Sequence, residues 1–513
     1  MENFDEKKHT NPQNRGNNEK NTPKNPIEKY FMPIGIGLVC ILLVACIAVA
    51  YSNGLFEPNQ PTFPATEPPT DGPTEAPTDS MEEINAAAEA LIAEADFLAA
   101  GYDYDKAISL LQTFEHADKV PDIAAKISQY QADKAKCSRY TKMNTITHIF
   151  VHPLIVEPDR AFGAGANLPA AMNRDMTTVE EFRYLLQSMY DRGYVLVTPY
   201  QVAYEVIDEN GNAKFVEGDI YLHDGKKPFI LSQDDVNYYG KWIADAKKQP
   251  GNTEMDGVNN TPVFANKNGD GVASRIVIGA DGKPTCEYVD RNGNTLIGEY
   301  DLVPILEAFI QEHPDFAYQG ARGVLGVTGF EGVFGYRTKP GYLENMTQEE
   351  YDKEVADAKA VVQCLKDNGW IIASHSYGHP SYGNLTATRI KLDNDKFVKT
   401  VASIVGECDI ILYPNGSDIA GIEKYTMDNE KFKVLYEAGY RYFFNVDGSD
   451  YWVQMGDNYY RGGRRNVDGY RMWNNPYMLD DLMDVKTIQY TSNGKLVEKV
   501  VAGAWDTARP AMK

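Results

Sequence analysis

The spacing of apolar positions changes several times along this chain, and each change marks a boundary. From Phe31 to about Ser52 there is no charged residue, and Ile34–Ala50 is almost wholly apolar. Such a run approaches the ~20 residues that cross a hydrocarbon core. The polar leader before it carries Lys7, Lys8, Arg15, Lys20, Lys24 and Lys29, and the next basic residue is Lys106. This asymmetry predicts a cytoplasmic tail at 1–30, a single transmembrane helix at 31–52, and the rest of the chain outside the cell. Ala48-Val49-Ala50 is similar to a leader-cleavage site, so secretion after Ala50 is the competing expectation. Residues 53–80 hold seven prolines among Thr, Glu and Asp, which predicts an extended linker.

At 81–140 the apolar positions take helical spacing. Ala88, Leu91, Ile92, Ala95 and Leu98 form one stripe, and Ala107, Ile108, Leu110 and Leu111 form a second after the Gly101-Tyr102-Asp103 turn. They predict a small α-helical hairpin of tetratricopeptide type. One hairpin is too little for a solenoid, so a stalk or a docking piece for a protein partner is expected. From 145 to 513 short apolar runs alternate with longer amphipathic ones, the texture of an α/β layered or barrel domain. Predicted strands are 146–151, 195–197, 229–232, 323–327, 370–373, 410–413, 442–446 and 485–490. Predicted helices are 178–191, 303–313, 348–367 and 427–438. An insertion at 241–299, full of Asn-Gly and Asp-Gly pairs, reads as β-hairpins.

Composition narrows the partners. The 513 residues carry a formal charge of −23, which argues against nucleic acid as a partner, since that needs a basic footprint. The six cysteines have no paired spacing, which excludes a Cys-rich zinc module.

Two predicted strands end in groups that can bind metal. Asp234-Asp235 follows Phe229-Ile230-Leu231-Ser232-Gln233, and His375-Ser376-Tyr377-Gly378-His379 follows Ile371-Ile372-Ala373-Ser374. An Asp pair in so acidic a chain also reads as a surface turn. The histidine pair carries more information, since eight His in 513 residues give about 0.1 chance pairs at this spacing. Gly378 and Pro380 exclude a regular helix there. One carboxylate and two imidazoles can hold a divalent cation and leave a position open, as hydrolases require, while the second carboxylate serves as a base.

These segments resemble polysaccharide deacetylases, the nodulation-protein-B homology family of carbohydrate esterases. Leu231–Val236 is similar to the family's first motif, Ser374–Pro380 to its second, and Leu412-Tyr413-Pro414-Asn415-Gly416 to its third, here without an arginine. The resemblance spans about 145–490 and implies a deformed (β/α) barrel of the polysaccharide deacetylase type, preceded by the helical hairpin and the transmembrane helix. It implies that Asp235, His375 and His379 bind a divalent metal, with zinc expected and cobalt, nickel or iron compatible. Asp234 would be the catalytic base, and Tyr413, Pro414, Asn415 and Gly416 would shape the site and offer a backbone N–H to the oxyanion. Many members place a general-acid histidine near the C-terminus, yet none follows His379 here. His152, in a segment similar to the opening motif of a permuted form, is the candidate, with His148 behind it. Tyr238, Tyr239, Trp242, Tyr377 and Tyr382 lie beside the expected ligands and could pack on sugar rings.

The expected protein is thus a membrane-anchored, extracytoplasmic enzyme that removes N-acetyl groups from an amino-sugar polymer, peptidoglycan or an exopolysaccharide. A catalytically silent glycan-binding or scaffolding protein of the cell wall, and an O-acetyl esterase acting on xylan-like glycans, are the alternatives.

Overall fold

The computed structural model describes residues 80–163, 166, 168–240 and 269–485, with the backbone of 490–492 and 495–497. Three helices come first: α1 (Met81–Ala100), α2 (Tyr104–Gln112) and α3 (Pro121–Lys134). Then strands and helices alternate as β1 (Thr147–Val151), α4 (Val179–Asp191), β2 (Lys227–Gln233), α5 (Leu302–Glu312), β3 (Val324–Val327), α6 (Gln348–Asp367), β4 (Ile371–Ser374), α7 (Ala387–Thr400), β5 (Ile410–Leu412), α8 (Glu430–Glu437), β6 (Tyr442–Val446) and β7 (Tyr460–Asn466). β2 through β7 pair in sequence order, β7 pairs with β1, and β1 pairs with β2. Every pairing is parallel, so the seven strands close into a barrel.

Local sequence explains the helices. The Thr178 hydroxyl accepts the Glu181 N–H while the Glu181 carboxylate accepts the Thr178 N–H, so two free donors at the start of α4 are satisfied together. Val179, Phe182, Leu185, Leu186 and Met189 then fall on one buried face. Thr347 and Glu350 repeat the arrangement at α6. On the strands, alternation divides the core in two. Ile149, Val151, Phe229, Leu231, Leu325 and Val327 join the cluster under the outer helices. Ile230, Val324, Ala373, Ile410, Leu412 and Phe444, the other set, are continuous with Ile84, Ala88, Ala95, Ala107 and Leu111 of α1 and α2. Tyr102, at the α1–α2 turn, packs on Tyr318 and His223, which precede β3 and β2. The helices therefore sit at the amino-terminal end of the barrel strands.

The structure departs from the sequence expectations in two places. The transmembrane helix and single-pass membrane location are corrected: among the described residues no helix is long and apolar enough to cross a membrane. The segment 31–52, like the tail and linker on either side of it, lies outside the described residues, and the described architecture is a barrel with three preceding helices. The closing strand is also different. Segment 485–490 falls mostly outside the described residues, and the barrel closes through β7, whose sequence Tyr-Arg-Gly-Gly-Arg-Arg-Asn does not read as a core strand. All but its last residue are buried all the same, because its arginines find acceptors. Of the insertion, 275–298 forms a three-stranded antiparallel sheet, and 241–268 lies outside the described residues. The described cysteines are free.

Candidate active site

β2, β3 and β4 are neighbours, and their register sets Gln233 level with Leu325, and Val327 level with Ser374, near the carboxyl ends. The residues that follow are thereby brought together across some 140 positions of sequence. Ligand atoms of Asp235, His375 and His379 all lie within 4.8 Å of one another. The His379 Nε2 is 3.9 Å from a carboxylate oxygen of Asp235, and the His375 Nε2 is 3.8 Å from one of Asp234.

Each member is held by the fold. Asp234 N–H donates to the Val151 carbonyl of β1, and Val236 N–H to the Gly326 carbonyl of β3, so the turn between them is pinned on both sides. Asp235 itself has φ +56°, and its carboxylate accepts the Tyr239 hydroxyl at 2.6 Å. The Nδ1 of His375 is 2.8 Å from the Leu412 carbonyl, which makes Nδ1 the protonated nitrogen and leaves the Nε2 lone pair for a cation. The turn to His379 is organised by Asp393 of α7, whose carboxylate accepts the Tyr377 and Gly378 N–H groups, each at 2.9 Å, and the Tyr382 hydroxyl. Ser376 and His379 both have positive φ, at 62° and 52°. With Asp235 and Asn415, four left-handed non-glycine residues lie on the first, second and third motif segments. That concentration of strained backbone is what a constrained ligand set requires.

The donor set therefore fits a divalent cation. It offers one carboxylate and two imidazoles, with one Nε2 freed by its own hydrogen bond and a carboxylate oriented by a phenol. Charge supports the same conclusion. Burial alone would raise the Asp235 pKa, but His375, His379, His152 and the Tyr239 hydroxyl together hold it below the ordinary value. Burial lowers the His375 pKa despite the two aspartates, so its neutral, ligating form is favoured. Asp234 is buried too, yet Arg464 of β7 donates to its Oδ1 at 2.6 Å, and with His375 this pulls its pKa well below the usual carboxylate range. Its second oxygen is the one that lies toward His375.

The third segment contributes backbone. The Tyr413 side chain is buried, with its hydroxyl 3.0 Å from that of Tyr425, and its N–H donates to the Phe444 carbonyl. Pro414 has no N–H, and that of Gly416 donates to Tyr413. The N–H of Asn415 has no partner among the described residues. Gly416 is at φ +61°, where a Cβ would come within 2.5 Å of Val446. His152 follows β1, with its Nδ1 2.9 Å from the Asp175 carbonyl, and is near enough for its charge to lower the pKa of both Asp234 and Asp235. His148 is different: it lies inside the barrel, its Nε2 3.0 Å from the Ser232 hydroxyl and its ring against Phe444. Burial pushes its pKa well down.

Arg464, Tyr239 as a partner of Asp235, and Asp393 are the site residues that sequence reading missed. A cavity of about 610 Å³, lined in part by Tyr140, Lys142, Lys227 and Tyr451, includes none of the residues above.

Among solved structures, the Streptococcus pyogenes deacetylase PplD in complex with acetate is 14% identical, with a TM-score of 0.30, covering 66% of this chain and 97% of its own. A family 4 carbohydrate esterase from Streptomyces lividans in complex with acetate is also 14% identical, with a TM-score of 0.17, over 32% of this chain and 72% of its own. No curated protein matches the sequence. The family model described as polysaccharide deacetylase matches residues 343–443, a stretch that contains His375, His379 and Tyr413–Gly416. Over that stretch, about a fifth of its length, the chain is similar to polysaccharide deacetylases.

Proposed function

We propose that this protein is a metal-dependent deacetylase that removes N-acetyl groups from an amino-sugar polymer. The observation that carries the reading is the meeting of Asp235, His375 and His379 within 4.8 Å, with a second, arginine-paired carboxylate beside them. Asp235, His375 and His379 would hold the cation, with zinc the best fit to two imidazoles and a carboxylate. Bound there, a divalent metal supplies Lewis acidity, polarising an acyl oxygen and lowering the pKa of water toward about 7.

The remaining chemistry belongs to the chain. Asp234 is ionised throughout the physiological range, and its oxygen not bonded to Arg464 takes the proton of the attacking water. Arg464 fixes the plane of that carboxylate and keeps it from rotating away. The Asn415 N–H, held by its left-handed turn and without an acceptor among the described residues, donates to the oxyanion of the tetrahedral intermediate. His152 anchors Nδ1 on the Asp175 carbonyl and presents Nε2, through which it protonates the departing amine.

The test is acetate release from N-acetylglucosamine oligomers by protein loaded with zinc, cobalt or nickel. Release that is lost on chelation and in Asp235→Asn is expected, with His152→Ala slowing amide substrates more than acetyl esters. No release from any glycan with any of the three metals would reject the proposal.

A further inference from the structure

Of the aromatic residues that sequence places beside the ligands, Trp242 lies outside the described residues and three of the others turn inward. Tyr238, Tyr239 and Tyr382 are buried, and their hydroxyls are engaged by Asp301, Asp235 and Asp393. The Tyr377 ring is half-buried against Gly329, where a Cβ would come within 2.1 Å of it. The next residue is Phe330, which is 41% exposed.

Phe330 is exposed without being loose. Its ring meets that of Tyr239 edge-on at 6.1 Å, and Tyr239 is the phenol that holds the ligand carboxylate of Asp235. The amide of the buried Asn237, two residues after Asp235, donates to the carbonyls of Thr328, Phe330 and Gly332. Phe330 N–H donates to the Thr328 hydroxyl, and Gly329 N–H to the Tyr377 carbonyl at 2.9 Å. Both metal-ligand segments are thus stitched to the same short loop. Glu331, at φ +60°, turns the chain directly after Phe330. A single exposed phenylalanine is unremarkable on a mobile surface loop. Here a partly exposed apolar ring is held by hydrogen-bonded backbone beside a left-handed residue, one ring away from the proposed metal ligand.

We infer that Phe330 is a stacking platform for a pyranose ring of the substrate, the acetylated sugar or its immediate neighbour. The apolar C–H face of a β-linked amino sugar would lie on the phenyl face and set how the polymer is presented to the metal. The inference rests on the reading of the site as a glycan deacetylase.

The experiment compares wild-type, Phe330→Ala and Phe330→Trp proteins, zinc-loaded, on N-acetylglucosamine oligomers and on an aryl acetate that has no pyranose ring. Phe330→Ala is expected to raise KM for the oligomers roughly 3- to 10-fold with kcat largely retained. The effect should shrink on the aryl acetate, and Phe330→Trp should restore oligomer KM. Equal losses on both substrates, or an unchanged oligomer KM, would overturn it. If the wild type releases no acetate, the deacetylase reading fails on its own. Calorimetric binding of the oligomers to the same three proteins then decides the inference: weaker binding in Phe330→Ala supports it, and equal binding rejects it.

Discussion

Arg464 and Asp234 meet 2.6 Å apart inside the barrel, and their side chains are almost completely hidden from solvent. Removing one partner of such a pair leaves the other charged and desolvated, which costs far more than the pair contributes. Arg464→Met is therefore expected to destabilise the protein by about 3–5 kcal/mol in urea denaturation, and adding Asp234→Asn should recover part of that loss. A single variant with wild-type stability would show that Asp234 is solvated or protonated. This pair was not legible in the sequence. Asp234 could be found because it follows an apolar run and stands next to Asp235, whereas Arg464 is 230 positions away in a strand with three arginines. That strand looks like polar surface until its partners are known: Asp234 for Arg464, Asp481 for Arg465, and the Gly421 and Glu423 carbonyls for Arg461. Tyr239 was visible in the sequence, but its proximity to the ligands suggested a sugar contact. Its burial and its bond to Asp235 make it a support for the carboxylate instead.

The element that most directly shapes the ligand set is the turn between β4 and α7. Its sequence, Ser-His-Ser-Tyr-Gly-His-Pro, announces two imidazoles outside a helix, and the structure adds how they are held. Asp393, one and a half turns into α7, accepts two consecutive backbone N–H groups, and a Cβ at Gly378 would come within 3.0 Å of its oxygen. Asp393→Ala should leave the barrel folded while loosening His379, lowering zinc affinity about 10- to 100-fold by calorimetry. Unchanged affinity would mean that the turn is rigid without it. Barrel strands with apolar runs were found to within a residue or two, because β-branched and aromatic runs buried on both faces leave a continuous signal. β7 was missed because its burial depends on ion pairs and carbonyl acceptors, which a hydrophobic pattern does not record.

For the whole molecule, α1 and α2 share a continuous apolar cluster with the barrel strands, and Leu111 and Ala107 are fully buried in it. Leu111→Ala should cost about 2–5 kcal/mol in a single cooperative transition detected by both circular dichroism and tryptophan fluorescence. Two separate transitions would mean that the helices and barrel fold independently. Acid should also weaken the fold. At Asp481 and Glu157 burial raises the pKa, but Arg465 for the first, and Tyr288 with Arg291 and Arg160 for the second, pull it below the ordinary value. Groups depressed in the folded state contribute fully above their unfolded pKa of about 4, and that contribution is lost as pH falls through the folded values. Melting temperature should therefore decline below about pH 4, and Asp481→Asn should flatten the decline. The central claim is that one cation joins β2 to the turn after β4. It is tested most directly by anomalous diffraction at the zinc edge from zinc-loaded crystals. The account predicts one strong peak about 2.0–2.2 Å from an Asp235 oxygen, His375 Nε2 and a ring nitrogen of His379. A peak elsewhere, or those three side chains standing apart with zinc present, would contradict it.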